Sequence, residues 1–180
     1  MFGNRKLKLV LAGSVALALP LAACSVNSVT DGSAVSASTG SVTAQSLMTA
    51  DGANWLSYGR TQDEQRFSPL DQITPANVGN LGLAWAADLD TARGQEATPL
   101  VIDGKIYFST AWSKAKAYDA VSGKLLWEYD PKVPGETAVK ACCDVVNRGV
   151  AVYEGKVFFG TIDGRLIALD AATGQPVWSE

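Results

Sequence analysis

Two adjacent cysteines, Cys142 and Cys143, are the residues whose type and spacing most clearly suggest chemistry. Adjacent Cα atoms lie about 3.8 Å apart across a trans peptide bond, whereas most disulfides join Cα atoms roughly 4.4–6.8 Å apart. A bond between these two cysteines would therefore close a strained, compact and apolar ring, and such strain usually occurs at functional sites. Such a ring would suit a planar cofactor that needs a flat lid. Two reduced thiols, buried as small apolar side chains, explain the two residues alone equally well. Metal binding is the weakest interpretation, because neighbouring side chains diverge and the sequence contains no histidine.

The first 23 residues predict an export signal. They contain three basic residues and no acidic one, followed by an apolar run that is too short and too interrupted to span a bilayer. We therefore expect a periplasmic protein. Removing three positive charges from a chain of net charge −3 leaves −6, so the composition predicts no nucleic-acid partner.

Cys24 is a candidate for lipidation. The sequence Leu-Ala-Ala-Cys at residues 21–24 resembles the lipobox of bacterial lipoproteins, and a lipid on Cys24 would anchor the protein to a membrane. The small residues at 16–18 offer an ordinary cleavage site instead. Lipidation would leave Cys142 and Cys143 as a single pair in a compartment that permits oxidation. Residues 24–50 are rich in Ser, Thr and Ala, which predicts a flexible tether.

The elements that carry the cysteine pair come from an internal repeat with an offset of 51 residues. Residues 104–108 align with residues 155–159, and both copies contain Ala-x-Asp-x-x-[Ser/Thr]-Gly-x-x-x-Trp. Each copy predicts four short strands, at 98–102, 105–110, 115–118 and 124–129 in the first. Strands that are apolar at every position must be covered on both faces, as in a propeller blade between two neighbours. The Asp and Gly of the motif predict a turn, and its Trp is placed to wedge against the next blade.

A third, degenerate copy precedes these two and ends at Trp85. The tryptophans at 85, 127 and 178 are 42 and 51 residues apart, and the nine extra residues fall in the segment that contains the cysteine pair. Function is expected at such an insertion, because loops between blades cluster at one end of a propeller channel. The sequence thus predicts an all-β, incomplete β-propeller of about three four-stranded blades over residues 51–180.

Several motifs resemble the quinoprotein alcohol dehydrogenases, which depend on pyrroloquinoline quinone (PQQ). They are Gly-Ala-Asn-Trp-Leu-Ser-Tyr-Gly-Arg at 52–60, Gln-Arg-Phe-Ser-Pro-Leu at 65–70, Gln-Glu-Ala-Thr-Pro-Leu at 95–100 and Cys-Cys-Asp-Val-Val-Asn-Arg-Gly at 142–149. The resemblance runs from about residue 51 to residue 180. It implies the N-terminal portion of an eight-bladed propeller with tryptophan-docking motifs, in which PQQ lies in the central channel beside a calcium ion.

The resemblance also implies roles for single residues. Cys142 and Cys143 match a vicinal disulfide that stacks on the quinone, and Glu96 and Arg148 match polar residues that surround the cofactor in its plane. The implied reaction oxidises alcohols to aldehydes. The implied partners are a small primary or secondary alcohol and a cytochrome c or quinone that accepts the electrons. The calcium ligands and the catalytic aspartate match nothing in this sequence, so this chain alone is expected to be inactive.

A non-enzymatic propeller lipoprotein of the outer-membrane assembly type is the alternative. It accounts for Cys24 and for the predicted tether. It does not account for Cys142 and Cys143, nor for the motifs at 52–73 and 95–100.

Overall fold

The structure is a computed structural model that describes residues 42–49 and 52–180. The predicted export signal at 1–23, the lipidation candidate Cys24 and most of the predicted tether lie outside the described residues. No helix within the described ranges is long and apolar enough to cross a membrane.

The described residues form two four-stranded antiparallel sheets, and in each the strands follow one another in chain order. The first sheet contains β1 (Leu100–Ile102), β2 (Lys105–Ser109), β3 (Ala115–Asp119) and β4 (Leu125–Tyr129). The second contains β5 (Ala151–Tyr153), β6 (Lys156–Gly160), β7 (Leu166–Asp170) and β8 (Pro176–Ser179). A short helix, α1 (Ala44–Thr49), and 3₁₀ turns at Val78–Asn80, Ala111–Ser113 and Gly135–Lys140 complete the assigned elements. The all-β, partial-propeller prediction is confirmed, and the predicted strands of the first sheet begin and end within two residues of those observed.

The two sheets repeat the same register. Ala117 pairs with Trp127 in the first sheet as Ala168 pairs with Trp178 in the second, and each sheet has an irregularity immediately after that alanine. The repeat offset of 51 residues therefore holds at the level of single strand pairs.

The Asp and Gly residues of the repeat form the predicted turns. Asp170 Oδ1 accepts hydrogen bonds from the hydroxyl and the backbone N–H of Thr173, at 2.7 and 2.8 Å. The Thr173 hydroxyl, followed by the backbone N–H groups of Thr173 and Ala172, lowers the pKa of Asp170, although burial opposes this shift. Gly174 closes the turn at φ +70°, a conformation that glycine adopts without strain.

Each docked tryptophan reaches from its own unit onto the turn of the next, as predicted. Trp127 Nε1 donates to Ala171 O over 3.0 Å, and Trp85 Nε1 donates to Ala120 O over the same distance. The rings cover Gly174 and Gly123, where a Cβ atom would lie 2.7 and 2.5 Å from the indole. An indole whose N–H is satisfied, buried at Trp127 and half-buried at Trp85, thus joins successive units.

The core lies between the sheets and includes fully buried Tyr107. Its hydroxyl donates to Ala171 O over 3.3 Å, so Ala171 O accepts from two residues of the preceding unit. Burial, followed by the charges of Asp103 and Asp170, raises the pKa of Tyr107 to about 12.

The predicted third blade is corrected by the structure. Residues 52–99 contain isolated bridges and one 3₁₀ turn but no strand, and only Trp85 makes the contact expected of a complete unit. Leu83 in this segment is 85% exposed. An extended segment becomes a strand only when a neighbouring strand satisfies its backbone groups over several residues, and among the described residues this segment has only the single bridges of Trp55 with Val101 and of Thr98 with Gly149.

The end of the predicted tether differs from the prediction, because residues 42–49 include a short helix and two apolar side chains that contact the core. Val42 is buried in the core, and its C=O accepts from Glu154 N over 2.9 Å. Thr43 and Ser46 exchange side-chain hydrogen bonds with each other's backbone N–H, which caps α1. Leu47 then packs against the core. The buried Val42 and the cap that follows it therefore give this segment an ordered structure, although its Ser, Thr and Ala composition predicts flexibility.

Candidate cofactor site

A disulfide joins Cys142 and Cys143 across a trans peptide bond, with their Cα atoms 3.8 Å apart. Both residues are exposed. The structure therefore contains the oxidised ring and not the pair of buried thiols that the residue types alone left equally possible.

The disulfide forms part of the wall of a cavity of about 210 Å³. The other lining residues are Ala141, Asp144, Val146, Arg148 and Ile162. One part of the wall is thus compact and apolar, and another carries a guanidinium group. The volume is below the roughly 300–1,000 Å³ of complete small-molecule sites, so these residues form only part of such a site.

The 3₁₀ turn Gly135–Lys140 leads directly into the disulfide. After the disulfide, Asp144 turns the chain at φ +64°, and Val145 is fully buried. Val145 O accepts from the backbone N–H of Trp112 over 2.8 Å, which attaches this loop to the segment after β2. A buried side chain and a backbone bond therefore fix the loop beneath its exposed disulfide.

Arg148 and Glu96 form an ion pair, with Arg148 Nε 3.0 Å from Glu96 Oε2. The two side chains remain 74% and 44% exposed, respectively. Thr98 and Gly149 form a parallel bridge beside them, and Arg93 pairs with Asp144 at 2.8 Å. Residues 93–98 therefore run alongside residues 144–149, and this pairing brings together two predicted site residues that are 52 positions apart.

Asn147 is a site residue that the sequence interpretation did not single out. Its Oδ1 accepts from Ser109 Oγ at 2.6 Å and from Gly149 N at 3.2 Å, while its Nδ2 donates to Gly160 O at 2.8 Å. The available signal was an amide directly before Arg148 and after two valines, within the nine-residue insertion.

Arg148 also borders a second cavity, of about 360 Å³, on the side of the second sheet. Tyr58, Thr98, Phe158 and Leu166 are among its other lining residues. The guanidinium-bearing residue thus lies between a cavity beside the disulfide and a larger, mostly apolar one.

No group of three or more His, Cys, Asp or Glu side chains within 42–49 and 52–180 could hold a metal ion. The calcium ligands therefore stay a prediction that rests on the family resemblance.

Comparison with known proteins identifies the family. The family model described as "PQQ: Glucose/ethanol/alcohol dehydrogenase, beta-propeller domain" matches residues 55–179, more than half of the chain. The chain belongs to this family. Members of the PQQ dehydrogenase propeller family among the curated proteins include the dehydrogenase subunit of a quinone alcohol dehydrogenase from Komagataeibacter europaeus, 55% identical over 99% of this chain. The corresponding subunit of Gluconobacter oxydans is 66% identical over 70% of it.

Solved structures of PQQ-family enzymes have the same fold. A quinohemoprotein alcohol dehydrogenase of Pseudomonas putida HK5 matches with a TM-score of 0.75 and 53% identity over 77% of this chain. The enzyme of Comamonas testosteroni gives a TM-score of 0.76 and 49% identity over 79%. The chain spans 24% and 17% of the two curated relatives, and 21% and 22% of these structures.

Proposed function

We propose that this chain contributes the disulfide-bearing part of the cofactor site in a PQQ- and calcium-dependent alcohol dehydrogenase, which oxidises small primary alcohols to aldehydes or small secondary alcohols to ketones. The proposal rests on one observation: in this chain of the PQQ dehydrogenase family, an exposed vicinal disulfide and Arg148 line the same cavity.

The residues suit a flat, carboxylate-bearing quinone. The two sulfur atoms and Cβ atoms of the disulfide offer a compact apolar surface, against which a planar group can pack. Arg148 pairs with Glu96 through Nε and stays 74% exposed, so its two terminal nitrogens can bind a carboxylate in bidentate fashion. Glu96 holds the guanidinium in a fixed orientation. The bound quinone supplies the two-electron oxidation chemistry.

The remaining parts of the reaction are carried over from the family. We place the calcium ion, as Lewis acid, and the aspartate base outside the residues described here, and we expect residues 1–180 alone to be inactive. A cytochrome c or a quinone would accept the electrons. A relative from Thauera butanivorans, named 1-butanol dehydrogenase (cytochrome c), supports the first of these acceptors.

The location is proposed from the sequence. Residues 1–23 would direct export to the periplasm, and a lipid on Cys24 would anchor the protein to a membrane. The dehydrogenase relatives favour this function over the non-enzymatic assembly lipoprotein, for which the disulfide and Arg148 would have no cofactor to bind.

The test uses apo-protein produced from the whole open reading frame that contains this chain. PQQ and calcium are added, and PQQ affinity and alcohol-dependent dye reduction are measured. The double variant Cys142→Ala and Cys143→Ala should bind PQQ about tenfold more weakly or worse, since it loses an apolar contact surface worth about 1.4 kcal/mol or more. Its melting temperature should change little, because both cysteines are exposed.

A second test variant and a control accompany the double cysteine variant. Arg148→Lys keeps the charge but removes the planar fork, so it should weaken PQQ binding without affecting the disulfide. Val139→Ala changes an exposed residue of the 3₁₀ turn before the disulfide and should leave binding unchanged. Wild-type affinity and turnover in the double cysteine variant would contradict the assignment of the disulfide to the cofactor site.

A further inference from the structure

Asn147 connects the disulfide loop to both sheets through its side chain. Ser109, the last residue of β2 in the first sheet, donates its hydroxyl to Asn147 Oδ1. Gly160, the last residue of β6 in the second sheet, accepts from Asn147 Nδ2. One amide thus joins the ends of two strands, in two different sheets, to the loop that contains Cys142 and Cys143.

The same amide also fixes the backbone around Arg148. Asn147 Oδ1 accepts from the N–H of Gly149, the residue after Arg148, and so closes a turn around the arginine. Gly149 has φ +131° and forms a parallel bridge with Thr98, two residues after Glu96. The direction in which Arg148 leaves the backbone, and its distance from Glu96, therefore depend on the Asn147 amide.

At neutral pH an amide matches these contacts better than a carboxylate does. Oδ1 accepts two hydrogen bonds while Nδ2 donates one, and only a side chain with both an acceptor and a donor can make this set. An ionised aspartate could still accept from Ser109 and Gly149, but it would face the Gly160 carbonyl with a negative charge and no proton to donate. Alanine would leave the buried Ser109 hydroxyl without this acceptor.

We propose that Asn147 is a positioning residue of the cofactor site, which aims Arg148 at a PQQ carboxylate by fixing the disulfide loop to the ends of β2 and β6. This inference rests on the proposed function. Asn147 acts through Arg148 and does not itself touch the cofactor.

The test measures the dissociation constant of PQQ by fluorescence titration, with calcium present, for apo-protein made from the whole open reading frame. Asn147→Ala should raise the dissociation constant about tenfold or more, because it removes three hydrogen bonds that fix Arg148. Ser109→Ala removes one of the three and should have a smaller effect in the same direction.

Tyr107→Phe is the matched structural control. It removes a different hydrogen bond between the sheets, the one that the Tyr107 hydroxyl donates to Ala171 O. This bond lies near the beginning of β6, whereas Asn147 contacts the end of β6. This variant should lower the melting temperature but leave PQQ affinity within about twofold of wild type. If the role of Asn147 were purely structural, PQQ affinity would fall in proportion to the loss of melting temperature, and this proportion would be the same in Tyr107→Phe and Asn147→Ala.

Asn147→Asp supplies a second readout, which a loss of stability alone does not produce. At neutral pH it should bind PQQ as poorly as Asn147→Ala. As the pH falls toward about 4.5, the neutral carboxylic acid, favoured beside the Gly160 carbonyl, can donate again. Its affinity relative to wild type at the same pH should therefore recover, while the ratio for Asn147→Ala stays constant.

The outcomes separate this inference from the function on which it rests. If the wild-type protein does not bind PQQ, the proposed function fails. If wild type binds PQQ and both Asn147→Ala and Ser109→Ala bind it within about twofold of wild type, the positioning role is overturned. Should Asn147→Ala fail to fold, Ser109→Ala and the pH dependence of Asn147→Asp still decide between the two results.

Discussion

Tyr107 is fully buried between the sheets, and its pKa of about 12 makes the stability of the fold depend on alkaline pH. The unfolded chain releases this proton near pH 10, before the folded protein does. The free energy of unfolding should therefore be unaffected below about pH 10 and should fall by about 3 kcal/mol as the pH rises through 12.

Urea denaturation of wild type and Tyr107→Phe at several pH values between about 8 and 11.5 measures this effect. The variant should be less stable at pH 8 but should lose less stability as the pH rises. Tyr153→Phe, at an exposed position, is the matched control and should keep the wild-type pH dependence. Parallel alkaline decline in all three proteins would refute the assignment to Tyr107.

At the residue scale, residue chemistry and family resemblance together predicted four site residues from the sequence. The structure places three of them, Cys142, Cys143 and Arg148, around one cavity, and the fourth, Glu96, is paired to Arg148. It did not single out Asn147. The contacts of that amide join residues 38 and 13 positions away, and no local pattern encodes which strand ends meet at a loop.

The Asp-to-Gly turns are the elements on which the docked tryptophans rest, and Gly174 tests this contact. Alanine there would have an unfavourable φ of +70° and a Cβ atom 2.7 Å from the indole of Trp127. The strain of a positive φ is about 1–2 kcal/mol, and displacing the ring adds about 1–3 kcal/mol. Gly174→Ala should therefore lower the free energy of unfolding by about 2–5 kcal/mol.

Gly104→Ala separates the two contributions. Gly104 has almost the same φ, +72°, but nothing lies within 4 Å of its Cβ position. This variant should lose only the 1–2 kcal/mol or so that is due to backbone strain. Denaturation of both variants, with Trp fluorescence as the probe, makes the comparison, and equal losses would show that the tryptophan contact adds nothing.

The strands were predictable because the sequence states them twice, and the same register in both sheets is the physical counterpart of the 51-residue offset. The segment that ends at Trp85 was harder, since its motif predicts a docking tryptophan but not the neighbours that strand pairing requires. Helix α1 was missed because its reciprocal Thr43 and Ser46 cap lies in a stretch whose composition indicates flexibility.

At the scale of the whole molecule, a substitution of Cys24 tests the proposed membrane anchoring. Cys24→Ser removes the thiol that would carry the lipid, so the protein should move from the membrane fraction to the soluble periplasmic fraction and lose incorporation of labelled palmitate. Ser25→Ala, one residue later, is the control and should behave as wild type. A membrane fraction that is unchanged in Cys24→Ser would show that Cys24 does not anchor the protein.

The forward reach of the tryptophans also bears on synthesis. Trp127 is made 44 residues before the Ala171 carbonyl that receives its indole N–H, and Trp85 is made 35 residues before Ala120. A ribosome adds about 5–20 residues per second, so Trp127 waits about 2–9 s for its acceptor to be synthesised. The units that carry Trp85 and Trp127 are therefore synthesised before the turns that cover their indoles, so docking during synthesis follows the order of translation.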